Sequence, residues 1–128
     1  MNNRPNMTHT MQHAQRWLAL ILQQPLPNRD LFSRHIKAGE ITSLCECGCH
    51  GFGFTIPDGI RLAPLKDGSG LFCEIAFESN LSEEIDILLF TDSRGYFCGA
   101  DVMFGFANIE PMPNNATATK LIGIWPSV

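Results

Sequence analysis

The apolar residues of this chain change their spacing once, near Glu40, and that change limits the folds open to it. Upstream, Ala14, Trp17, Leu18, Ile21 and Leu22 recur at three- and four-residue intervals, as one face of an α-helix requires. Thr10 stands where an N-cap belongs, and Pro25 and Pro27 close the segment. Leu31, Phe32, His35 and Ile36 repeat the pattern in a shorter stretch, with Asn28 placed as its cap and Gly39 as its stop. Downstream the spacing is two. Ile41, Ser43, Cys45, Cys47 and Cys49 would share one side of a strand, and Phe52, Phe54 and Ile56 then take the opposite phase. A phase shift of this kind predicts a bulge or tight turn within residues 48–51.

Further alternating runs follow. Leu71, Cys73, Ile75 and Phe77 alternate against polar neighbours, as do Ile85, Ile87 and Leu89. Turn signals at Pro57-Asp58-Gly59, residues 66–70 and Asp92-Ser93-Arg94-Gly95 separate the runs, and YFCGADVMF and KLIGIW complete the series. Helices first and strands afterwards predict an α+β fold, with one or two N-terminal helices packed on an antiparallel sheet of about five strands. Residues 1–9 read as a loose polar tail, and residues 10–128 as a single domain. The predicted core holds Trp17, Leu18, Ile21, Leu22, Cys73, Ile75, Phe77, Ile85, Ile87 and Leu89. With 128 residues, 45% of them hydrophobic, the chain can fill such a core. Its longest apolar runs, such as WLALIL, fall far short of the roughly 20 residues of a membrane helix. No signal peptide is recognisable, so a cytoplasmic location without membrane association is expected.

LCECGCHGFGF at 44–54 raises the question of chemistry. Three cysteines and a histidine are soft ligands suited to zinc or copper, so Cys45, Cys47, Cys49 and His50 define one candidate function: a small metal-binding or thiol-redox protein. Sulfurs at alternate strand positions lie in a row, however, whereas C-x-x-C knuckles fold two thiolates towards one point. An odd total of five cysteines without a secretion signal favours reduced thiols. Neighbouring pairs in an extended strand, about 6.6 Å apart at Cα, sit near the limit for a disulfide. The expectation is therefore reduced, buried Cys45, Cys47 and Cys73, and no bound metal or other cofactor. His9 and His13 read as surface residues. G-x-S-x-G, HExxH, GxGxxG and phosphate-loop signatures are all missing, and enzymatic activity is not expected.

Charge is divided along the chain. Residues 1–37 hold five bases against Asp30 alone, whereas residues 38–128 hold four bases against twelve acids. Glu74 and Glu78 fall on the polar side of one predicted strand, and Glu84 and Asp86 on that of the next. A hairpin would set all four carboxylates on one face. Such a face solubilises a sheet, or docks a basic protein by complementary charge. It argues against nucleic-acid binding, which needs clustered Lys and Arg.

Two stretches, CECGC at 45–49 and IDILLFTDSRGYFCGADVM at 85–103, give residues 40–113 a resemblance to a group of small bacterial cytosolic proteins. Small acidic α+β proteins of this kind resemble immunity proteins, which neutralise toxins of contact-dependent or polymorphic toxin systems. The resemblance implies a cognate basic toxin domain as partner and Glu74, Glu78, Glu84 and Asp86 as the partner-binding residues, with no catalytic residue. The chain departs from the group at Gly99-Ala100-Asp101, where a glutamate is expected after the final turn.

Overall fold

Thr10 opens helix α1 (Met11–Leu22) through a reciprocal pair of bonds. Its hydroxyl accepts the His13 N–H at 3.3 Å, and His13 Nδ1 accepts the Thr10 N–H at 3.2 Å. This is a capping box in which an imidazole replaces the usual Glu or Gln. The computed structural model that shows this describes residues 9–46, 48–105 and 111–126. Helix α2 (Arg29–Ala38) starts differently from expectation. Asn28 adopts a left-handed conformation (φ 53°), and its side chain makes no capping bond. Gly39 does end α2, but in an extended conformation. Its missing side chain matters because a Cβ would strike the Thr55 carbonyl and the Phe54 ring.

Six strands follow: β1 (Glu40–Leu44), β2 (Phe52–Thr55), β3 (Gly70–Ser79), β4 (Ile85–Thr91), β5 (Phe97–Phe104) and β6 (Ala118–Trp125). They form one sheet in the order β1-β2-β5-β4-β3-β6, every pairing antiparallel. The fold is thus α+β, as the spacing predicts. Facing pairs Ile75–Ile87, Ile87–Val102 and Leu89–Ala100 point towards the helices. There they meet Ala14, Trp17, Leu18, Ile21 and Phe32 in one core. Phe97 sits among the rings of Phe32 (centroids 5.0 Å), Phe54 (5.1 Å) and Phe52 (6.5 Å). Every other member of the predicted core is buried, but Leu22 is only half-buried at the edge of the helix face.

The cysteine strand is shorter than its alternation suggests. A bulge between Ile41 and Ser43 puts Ile41 opposite Phe54 and Ser43 opposite Gly53, so these two residues face opposite sides. Pairing then stops at Leu44, and residues 45–51 connect β1 to β2. Of the predicted tail, residues 1–8 lie outside the described residues. His9 is tied down through a 2.9 Å hydrogen bond to the Gly51 carbonyl.

Candidate functional site

The helices cover one face of the sheet, so the other is the natural place to look for the predicted carboxylates. Ala76 opposite Asp86 and Glu74 opposite Leu88 confirm the hairpin of β3 and β4. Alternation puts Glu74, Glu78 and Asp86 on the face away from the helices, with Asp101 of β5 beside Leu88. Glu84 is exposed just before β4. The four residues are not equivalent. Glu78 and Glu84 are exposed and Glu74 is half-buried, but Asp86 keeps only 5% of its surface. Burial, the hydrogen bond and charge of Glu74, and the charge of Glu84 push the Asp86 carboxyl up to about 7. Asp86 Oδ1 has no hydrogen-bond partner among the described residues. Burial also raises Asp101. Lys120, opposite Glu78, is the base on this face among the strand pairs. Between the acids stand apolar side chains that no described element covers. Leu71 (48% exposed) pairs with Phe90, and Trp125 (49%) pairs with Glu74 and lies over Gly123.

Among the described residues, Cys45, Cys49 and His50 are not gathered as a ligand group. Cys45 is disulfide-bonded, contrary to the expectation of a reduced thiol. The geometric objection applied to an extended strand, and the strand ends at Leu44. Cys47 lies outside the described residues. Cys49 is buried, and its sulfur accepts the Gly51 N–H at 3.3 Å. Cys73 is a free thiol in the core, raised to about 11 by burial first and then by Glu74. A thiol so raised stays protonated at neutral pH and is a poor nucleophile.

His50 joins two other histidines instead. His9, His13 and His50 form a triangle whose ligand atoms all lie within 4.8 Å of one another. The ring centroids of His9 and His50, and of His13 and His50, are 4.6 Å apart, and all three planes agree within 11°. The polarity of the hydrogen bonds assigns each proton. A carbonyl only accepts, so His9 carries its proton on Nε2, facing Gly51, and keeps a lone pair on Nδ1. His13 and His50 share this tautomer, but their Nδ1 lone pairs are already taken. Their Nδ1 atoms accept N–H groups, from Thr10 at 3.2 Å and from the Trp17 indole at 2.9 Å, so a neutral ring carries its proton on Nε2. Only His9 therefore offers a preformed ligand. Stacked rings also aim their in-plane lone pairs past one another, whereas a metal needs them to converge.

All three imidazoles are held neutral. Burial is the first cause in each case. His50 is pushed down to about 3, with His9, His13 and Arg16 adding repulsion and Asn114 opposing weakly. His50 is fully buried, and among the described residues neither its Nε2 nor His9 Nδ1 has a hydrogen bond of ordinary geometry, Asn114 being the one group that favours a proton on His50. His35 shows the contrast. Also fully buried, it donates to the Ala63 carbonyl (2.8 Å) and accepts the Phe97 N–H (3.2 Å), which satisfies both nitrogens. Its role is to bridge α2, the loop before β3 and the start of β5.

Sequence reasoning missed the histidine group because His50 lies 37 and 41 positions from its partners. The one available signal was Thr10-x-x-His13, which has the spacing of a capping box. No helix among the described residues is long and apolar enough to cross a membrane. No protein-family model, curated protein or solved structure matches the chain.

Proposed function

We propose that this chain is a non-enzymatic binding protein that presents the open face of its sheet to a basic protein, and that its partner is a bacterial toxin it neutralises. One observation carries the binding surface: a sheet face left bare by the helices, with exposed Leu71 and Trp125 set among Glu74, Glu78 and Asp101. Exposed aromatic and aliphatic side chains supply desolvation energy at an interface, while surrounding charge steers and orients the partner. A surface of this composition fits a partner that combines Lys or Arg with apolar anchors. The toxin class comes from the resemblance of residues 40–113 to immunity proteins.

Burial refines the contact set. Asp86 sits beneath this face and is half-neutralised near pH 7, so Glu74, Glu78 and Glu84 carry the steering charge. The test is capture of the partner from the native host, followed by association kinetics. Reversing Glu74, Glu78 and Glu84 to Lys should slow association at least tenfold at low salt and leave the circular dichroism spectrum unchanged. Unaltered association and unaltered protection of host cells would sink the assignment.

A further inference from the structure

We propose that His9, His13 and His50 form an acid-operated latch, which holds the start of α1 on the β1–β2 connection at neutral pH and releases it when His9 and His13 take up protons. The latch joins two pieces of the fold. His9, Thr10 and His13 belong to the start of α1, and Trp17 lies one turn further on. His50 and Gly51 belong to the β1–β2 connection. That connection is itself anchored, because the His50 N–H bonds to the Val102 carbonyl (2.9 Å) and the Gly48 carbonyl accepts the Met112 N–H (2.8 Å). The sheet side is therefore fixed, and the helix start is the part free to leave.

The bonds at His13 and His50 tolerate only the neutral ring, whereas the His9 bond to the Gly51 carbonyl serves the cation as well. A proton on His13 Nδ1 would face the Thr10 N–H and break the capping box. A proton on His50 Nδ1 would face the Trp17 indole N–H, donor against donor. A proton on His9 Nδ1 would be buried without an acceptor, next to two stacked imidazoles. Among the described residues no negative charge compensates; only the Gly51 carbonyl, on His9, and Asn114, on His50, favour a proton. The charges acting on His50 are those of His9, His13 and Arg16, all of one sign. Arg16 acts likewise on His13, and among the described residues no carboxylate acts on any of the three rings. The 111–116 segment contributes the neutral Asn114, and the Asp101 side chain projects to the other face of the sheet. His9 and His13 are half-buried and can be reached by solvent, whereas His50 is sealed. Opening therefore begins at the outer pair.

Amide hydrogen exchange of the full chain between pH 8 and pH 4 tests the latch, read at His13 and Ala14 and corrected for the intrinsic pH dependence. Each proton taken up on opening should raise the opening constant about tenfold per pH unit below the free-histidine value of 6.5. The amides of Ile75 and Ile87 should stay protected over the same range. A second readout is Trp17 fluorescence in a Trp125→Phe background. The variant His9→Gln/His13→Gln keeps a donor towards Gly51 and restores an ordinary Thr-x-x-Gln box, but it cannot titrate. Its His13-region exchange should lose the extra pH dependence. Three results would overturn the proposal: an unchanged pH profile in that variant, opening at His13 only together with the core, or one equivalent of Zn²⁺ bound at pH 7 and lost in the variant. The last would require the lone pairs that the latch holds occupied.

Discussion

His50 and Asp86 occupy opposite sides of one sheet, and each is a buried ionisable group with a polar atom left without an ordinary hydrogen bond among the described residues. Burial is the first reason that both stay near their neutral forms, and their dependence on pH is opposite. His50 lies on the helix side, where burial and then the neighbouring bases His9, His13 and Arg16 discourage a proton, and the Trp17 N–H claims its Nδ1. Asp86 lies on the bare side, where Glu74 and Glu84 discourage loss of one. The folded His50 titrates near 3 against 6.5 when free. Its contribution to stability is complete above pH 6.5 and is lost as the pH falls towards 3. The folded Asp86 titrates near 7 against 3.8. Its contribution is complete below pH 3.8 and is lost as the pH rises through 7. Between pH 4 and 6.5 the two slopes oppose each other, each bounded by about 1.4 kcal/mol per pH unit. A flat overall stability profile there can conceal two titrations. The comparison also separates the faces: one packs its rings beneath the helices, and the other leaves Leu71, Trp125 and Glu78 exposed.

The largest effect expected from this contrast is in packing. Phe97→Ala removes a ring enclosed by Phe32, Phe52 and Phe54 and should cost about 3–5 kcal/mol in urea unfolding. A cost under about 1 kcal/mol would show that the helix side is not the tightly packed one.

Asp86→Asn comes next. It removes the need to hold a proton between two carboxylates, and should stabilise the protein by about 2 kcal/mol at pH 8. The gain should vanish near pH 4, where the native Asp86 is protonated already. Stabilisation of equal size at both pH values would mean that titration is not its source.

Trp17→Phe probes the other side. It keeps most of the ring volume but leaves His50 Nδ1 buried without its donor, at a cost of about 1–2 kcal/mol at pH 7. Thermal unfolding of this variant and of Trp17→Phe/His50→Leu separates the hydrogen bond from the packing. If the double variant is no more stable than the single one, the orphaned nitrogen is not what costs stability.

Smallest of all is Trp125→Ala, which takes a half-exposed ring off the bare face and should change stability by less than about 1 kcal/mol. The same substitution should weaken partner binding at least tenfold if the face docks a protein. Loss of stability without loss of binding would reverse the division of roles.

The helices, their amphipathic faces and the β3–β4 hairpin were legible because each depends on contacts within a few residues or across one tight turn. Thr10 could be recognised as a cap for the same reason. Asn28 could not be read correctly, since its left-handed conformation follows from how the chain turns between α1 and α2. The cysteine strand was overextended because alternation continued in the sequence after pairing had stopped at Leu44. Glu74, Glu78 and Asp86 were placed on the right strands and Glu84 falls just before β4, yet the alternation held no sign that Asp86 would be buried while Glu78 stayed exposed.

The sequence by itself determined the change from helix to strand near Glu40, the order of the elements, and most of the apolar faces, since periodicity is a local property of the chain. Tertiary structure alone decided that β5 inserts between β4 and β2 and that β6 pairs with β3. It alone brought His50 to His9, His13 and Trp17, and Asp86 beneath the open face. The charge state of such groups depends on how much water, and which charges, the folded neighbours leave around them. Those neighbours lie tens of residues away, so no local pattern encodes them.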